Sequence, residues 1–388
     1  MNVEQIKTLV NEVAEEILGE EAVQTLDLSD AVQIGNAILD ATSYDNYVRT
    51  LVNHIGKVEY SSRVYSGGAP NIYMDSWEFG SIRERISFNM PDAEDNPSWA
   101  LTDGTTYNQD KFTAPSINVK FFNGRDTYQI PLSITERQVK ESFSNWNQLN
   151  GFISGLQIAV ENAIVIRNDA MIMNTINSLI AYTINDDNGA NVKAIDVLSL
   201  YNTQFKKSLT KADALTDEDF NKFLALKMGV MASRLSRPSK LFNASGEEKF
   251  TPKDQLHVVM LTDVAKSTDV YLQSGVFHNE LTALPEAEEV PYWQGTGTDY
   301  AFDSISKIDV TVKDPSDATK TIKVTQDGIL AVMFDKYACG VTNYDRRTTA
   351  HQNNVAEFTN YWYKVDAEYF NDLGENAVVF YLGGSEGA

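Results

Sequence analysis

Four histidines, one cysteine and a surplus of carboxylates are the groups from which this chain would have to build a reactive centre. The histidines are His54, His257, His278 and His351. No two lie three or four residues apart, so no helix can turn a pair of imidazoles toward one metal ion. His257 sits inside the apolar run Leu256–Leu261, where a hydrogen-bonded structural histidine is the simpler reading. Cys339 is alone, which excludes an intramolecular disulfide and a thiolate cluster and fits a reducing cytosol. Gly383-Gly-Ser-Glu-Gly387 spells a nucleophile elbow, but an elbow needs a following helix and then an acid and a histidine, and only Ala388 follows. Gly295-Thr-Gly-Thr-Asp-Tyr300 has two of the three glycines of a dinucleotide turn without its strand–turn–helix frame, and no P-loop string occurs.

Three further clusters have bland readings. Asn185-Asp-Asp-Asn-Gly189 offers oxygens for Ca²⁺ but lacks the calcium-loop spacing and its distal bidentate Glu, so it reads as a turn. Lys206, Lys207, Lys211 and Lys222 are interleaved with Asp213, Asp217, Glu218 and Asp219, which is no stripe for nucleic acid. Tyr361, Trp362, Tyr363, Tyr369 and Phe370 could stack bases, but in acidic surroundings they read as core or interface. No catalytic, cofactor-binding or metal-ligating residue is assigned, and the chain reads as a non-enzyme.

With no site to position, the scaffold becomes the question. The 388 residues are 43% hydrophobic, enough for more than one core. A formal net charge of −22 favours solubility and opposes tight binding to phosphate backbones. Met1–Lys7 has no apolar signal core and no run of about 18 apolar residues exists, so the chain reads as cytosolic in origin.

The dominant element is the stretch Ser142–Thr183. Leu149, Phe152, Ile153, Leu156, Val160, Ala163 and Ile164 recur every three or four residues. They predict a helix of some 35 residues, on the order of 50 Å long at about 1.5 Å per residue. Ahead of it, residues 1–57 read as short amphipathic helices. The first carries Ile6, Leu9, Val10, Val13, Ile17 and Leu18 on one stripe, and such short helices need a larger body, their own chain's or a neighbour's, to cover them. Strand-like runs follow at Val58–Tyr65, Ile82–Phe88 and Ile117–Phe122, separated by Pro91, Pro97, Asp103-Gly104 and Pro115, which suggests a long open hairpin. Beyond the long helix, residues 190–345 read as mixed α and β. A helix opens at Thr216–Asp219 with a capping-box pattern, and another is expected over Tyr271–Leu284. Strands are expected at Leu256–Leu261, Ile308–Val312, Thr321–Val324 and Ile329–Phe334, then at Tyr361–Phe370 and Ala377–Leu382.

This order of parts resembles the major capsid proteins of tailed bacteriophages with the Hong Kong 97-like fold. The stretches Asn46–Gly56, Ile134–Phe143, Gly328–Lys336 and Phe370–Phe380 are similar to capsid proteins of phages of Gram-positive and related gut bacteria. The resemblance implies an α+β fold. Its parts would be an N-terminal helical arm (1–57), an extended β-hairpin called the E-loop (58–132), the spine helix of a peripheral domain (133–183), an axial domain (184–348), and return strands of the peripheral domain (349–388). It implies a protein that self-assembles, through hexamers and pentamers, into an icosahedral or prolate shell around double-stranded DNA. DNA would be enclosed without sequence-specific binding, and no membrane is involved. Portal, scaffolding and cement proteins would be partners, the virion its destination and the host bacterial cytoplasm its place of assembly. Some members join subunits by a Lys–Asn bond helped by a Glu; Lys111 and Lys120 fall in the expected E-loop and Asn353 or Asn354 near the return, and no spacing ties them together. The alternatives are a nanocompartment shell of the same fold, a portal or tail component, and a soluble α/β enzyme with no recognisable site.

Overall fold

The computed structural model describes residues 63–74, 83–91, 93–135, 146–275, 287–294, 302–314 and 320–383. The arm expected over 1–57, His54, His278 and the Gly295–Tyr300 string lie outside them. The chain divides into two compact units. One takes its described residues from Met1–Tyr65, Ile130–Ala163 and Thr348–Tyr363; the other from Ser66–Gln129, Ile164–Arg347 and Lys364–Ala388.

The long helix, α1, runs from Trp146 to Asp187, past the expected end at Thr183. Its end is set by Asp187. That buried carboxylate accepts hydrogen bonds from the backbone N–H groups of Asn191 (2.7 Å), Val192 (3.0 Å) and Lys193 (2.6 Å). The acidic turn therefore closes a helix and keeps little acceptor capacity for a cation. Buried Thr175 and Thr183 return their hydroxyls to the carbonyls of Met171 and Leu179, so polar residues sit inside the apolar stripe without an unmet donor.

In the second unit α1 contributes Ile172, Ile176, Leu179 and Ile180 to a core built on five strands. These are β4 (Ala194–Asp196), β5 (Leu256–Leu261), β6 (Glu288–Val290), β9 (Ile329–Asp335) and β12 (Ala377–Tyr381), in the spatial order β4-β12-β9-β5-β6. β9 is antiparallel to both neighbours, and its Val332 faces Val379 on one side and Val259 on the other. All seven residues of β9 are buried, which is why the run has no alternation. Helices α2 (Val197–Phe205), α3 (Lys211–Ala214), α4 (Glu218–Leu235) and α5 (Thr262–Gly275) follow in the chain, with α4 packed on α5 and α5 on β5. Trp293 is fully buried, donates its indole N–H to the Ile329 carbonyl at 3.0 Å, and accepts from Asn177 of α1 at 2.6 Å, tying helix to sheet. A short helix α6 (Phe302–Ile305) precedes the hairpin of β7 (Ile308–Lys313) and β8 (Thr321–Gln326).

Several sequence expectations are corrected. The cap of α4 is Asp217, accepting from Phe220 N–H at 2.7 Å; Thr216 instead gives its hydroxyl to the Asp213 carbonyl. The helix expected over Tyr271–Leu284 begins at Thr262, and its described part stops at Gly275. Of the run Val58–Tyr65, the described residues 63–65 are not a strand. Two long strands were not anticipated, β3 (Gly124–Thr135) and β10 (Cys339–Asn353). With β11 (Phe358–Asn371) they form a sheet in the order β10-β11-β3. The return segment 349–388 is thus split: β11 joins that sheet, while β12 lies between β4 and β9. The sequence reason is burial. Four of the five β12 residues are buried, and the central position in an apolar sheet is where such a run loses most water-exposed surface.

In the first unit, Asn162 of α1 accepts from Tyr65 N–H at 2.8 Å and donates to the Arg63 carbonyl at 2.7 Å, and Ser133 bonds Asn360.

Candidate subunit-contact surface

The excursion before α1 contains an antiparallel pair, β1 (Arg83–Phe88) and β2 (Ile117–Phe122), in which Arg85 faces Lys120 and Ile86 faces Val119. Period-two alternation gives the pair two faces. Arg83, Arg85, Ser87, Asn118, Lys120 and Phe122 share one; Glu84, Ile86, Phe88, Ile117, Val119 and Phe121 share the other. In an ordinary amphipathic sheet the apolar face is the covered one. Here it is the exposed one: Phe88 is 71% and Phe121 67% accessible.

The charged face is the one that meets the body of the second unit. Asp372, at 2% exposure, receives Lys120 Nζ at 2.6 Å, Arg85 Nη1 at 2.9 Å and the Gly374 N–H at 2.9 Å. Arg85 also donates to the Tyr337 carbonyl at 2.7 Å. Arg83 lies 4.4 Å over the Phe370 ring, and Phe122 packs on the same ring at 5.0 Å. Burial, with the neighbouring Arg85 charge, lowers the Arg83 guanidinium to about 10. One carboxylate thus bridges two cations that the hairpin brings inward. The loop between the strands carries further uncovered apolar groups, including Trp99 in a one-turn helix capped by Asn96, at 98% exposure, and Phe112. An exposed apolar surface of this kind marks an interaction face.

Most of the described residues singled out for chemistry are held in structural contacts. His257 stacks on Phe334 at 5.7 Å, with Nδ1 3.8 Å from Glu288. His351 is exposed on β10. Cys339 is fully buried, and burial pushes its thiol far above the ordinary range. Gly383 has a structural reason: its N–H donates to Asp196 at 2.9 Å, and a Cβ there would collide with that carboxylate. Lys207 bonds the Tyr201 hydroxyl (2.7 Å) and Asp219 (3.1 Å), Lys211 pairs with Asp327 and Lys222 with Glu218, so three of the four lysines of the cluster are paired with carboxylates. Phe370 of the aromatic run is buried under the hairpin. Lys111 pairs with Glu94 and Lys120 with Asp372, while Asn353 accepts from Val355 and Ala356 N–H in a turn. Among the described residues no group of three or more His, Cys, Asp or Glu is arranged to hold a metal, and no helix is long and apolar enough to cross a membrane.

An uncovered apolar hairpin, with most of the described chemical candidates held in structural contacts, is the profile of an assembling subunit. A family model described as Phi29-like phage major capsid protein matches residues 6–381. The chain belongs to that family. Solved structures agree at the level of the fold. The chain is similar to a chain in a capsid structure of Staphylococcus phage Andhra, with a TM-score of 0.55 at 9% identity, over 85% of this chain and 87% of that one. It is similar to a chain in a structure of head fiber and inner core protein gp22 of native bacteriophage P68, with a TM-score of 0.56 at 11% identity, over 84% and 88%. A chain in the capsid structure of cyanophage P-SCSP1u matches with a TM-score of 0.50 at 10% identity, over 86% and 95%. No curated protein matches at a significant level. As a member of the Phi29-like major capsid proteins, the chain is a shell-forming structural protein of the virion, and it works as part of a multimer.

The sequence could have exposed the inverted hairpin. Arg83-Glu-Arg-Ile-Ser-Phe88 and Ile117-Asn-Val-Lys-Phe-Phe122 alternate charged with apolar residues. The missing signal was the partner: Asp372 lies some 250 positions away from Lys120 and nothing local points to it.

Proposed function

We propose that this major capsid protein has the Hong Kong 97-like fold and builds an icosahedral or prolate shell, from hexamers and pentamers, around double-stranded DNA. The single observation that carries the reading is the hairpin β1–β2, whose charged face is held at Asp372 and whose apolar face is left for another subunit. In this reading residues 1–57 are the N-terminal arm and 58–132 the E-loop. The long helix within 133–183 is the spine of a peripheral domain completed by the sheet β10-β11-β3. Residues 184–348 are the axial domain, to which β12 is added because it lies inside the five-stranded sheet. A portal, with scaffolding or cement proteins, completes the particle, which assembles in the host bacterial cytoplasm. The net charge of −22 suits a container that must not bind its DNA along the backbone.

The test is electron microscopy of the purified, expressed chain, followed by nuclease treatment and extraction of particles from infected cells. Closed shells or capsomer rings are expected, with nuclease-protected DNA inside the phage particles. A dispersed monomer under all conditions, or particles that hold protein and no DNA, would overturn it.

A further inference from the structure

A second uncovered apolar surface lies in the second unit. It is a groove of about 770 Å³ between α4 and the segment Ser239–Phe242. Leu226 (62% exposed) and Leu241 (61%) stand open along it, with Val230 between them. Its rim is basic. Lys227, Arg234 and Arg237 line it and no carboxylate does, in a chain with 54 acidic and 32 basic side chains. Among the described residues, these three cations make no ion pair.

An apolar floor with cations at the rim describes a receptor for an acidic amphipathic segment in the helix-in-groove mode.

We propose that this groove receives residues 3–21 of a second copy of the chain. That stretch has Ile6, Leu9, Val10, Val13 and Ile17 at helical spacing, the anchor pattern the floor of the groove needs. It has six glutamates against one lysine, and Glu12, Glu16 and Glu20 recur every four residues beside the apolar stripe. Charge complementarity therefore selects it, and would set the register along α4. The inference rests on the reading of the chain as a self-assembling shell protein, and it adds which surfaces link one subunit to the next.

Cysteine cross-linking tests it, because the native Cys339 is fully buried and leaves engineered thiols as the accessible ones. Chains carrying Val13→Cys and Val230→Cys, one of them with a size tag, are co-expressed, assembled and oxidised. A disulfide-linked pair of one tagged and one untagged chain is expected, lost on reduction and absent when either variant is assembled alone. Reversing Arg234 and Arg237 to Glu, both exposed side chains, should lower the linked fraction at least about tenfold, and Glu12→Lys with Glu16→Lys in the same chain should restore it. No inter-chain link in intact shells overturns the proposal. So does a link formed only within the Val13→Cys/Val230→Cys double variant, which would mean that each chain's own arm fills its groove. Absence of shells from the unmodified chain would instead count against the shell reading, so the two failures are distinguishable.

Discussion

The hairpin β1–β2 and the five-stranded sheet use the same residue types in opposite directions. In the sheet, Val332 and its neighbours point into apolar surroundings on both faces, and the chain supplies every partner. In the hairpin, arginine and lysine point inward to Asp372 while isoleucine, valine and phenylalanine point out. Burying a large apolar side chain contributes about 1.5–3 kcal/mol. The sheet collects that within one subunit. The hairpin forgoes it in the free chain and can recover it only against another molecule. Stability of the subunit and stability of the shell are thereby assigned to different residues, and mutation should separate them.

The largest effect is expected in the sheet. Val332→Asp places an unpaired carboxylate at a fully buried position and should cost more than about 4 kcal/mol, leaving no folded subunit by chemical denaturation. Asp372→Ala comes next. It leaves the Arg85 charge, which is 15% exposed, without its counter-ion, and should cost about 3 kcal/mol in the same assay. A smaller effect follows at Glu375, whose carboxyl is raised above 4.5 chiefly by burial. The folded chain holds that proton more tightly than the unfolded one. Stability therefore falls as pH rises from the ordinary carboxylate range through the raised value, and Glu375→Gln should flatten that fall in melting curves. The smallest effect on folding belongs to the hairpin. Phe121→Asp should shift subunit stability by no more than about 0.5 kcal/mol, yet abolish shells in electron micrographs. If Phe121→Asp instead unfolds the chain as Val332→Asp does, the contrast between the two regions is wrong.

The same contrast explains what could be read from the sequence. Ile329–Phe334 was legible because burial on both faces produces an unbroken apolar run. α1 was legible from its three-and-four spacing, whereas its end required knowing that Asp187 turns back to cap Asn191, Val192 and Lys193. β10 was missed because exposed polar groups such as Arg346 and Thr348 give no local apolar signal, whereas β3 was readable, since Tyr128, Ile130, Leu132 and Ile134 alternate with Thr127, Gln129 and Ser133. α5 was placed too late because Thr268, buried, hides its hydroxyl on the Val264 carbonyl and behaves as an apolar residue. The contact surface itself had the right alternation in sequence, but alternation does not say which face is inward. That depended on Asp372, Phe370 and Tyr337, far along the chain.

Trp99 and Trp293 give the molecule a built-in optical contrast. One indole is 98% in water and the other has none of its surface there. In a variant with Trp77, Trp146 and Trp362 replaced by Phe, iodide should quench the first in dispersed subunits and spare the second, so the accessible emission, red-shifted by solvent, reports the loop. As copies close over that loop, the quenchable fraction should fall while the Trp293 component stays fixed, which turns the unlabelled protein into a clock for its own polymerisation.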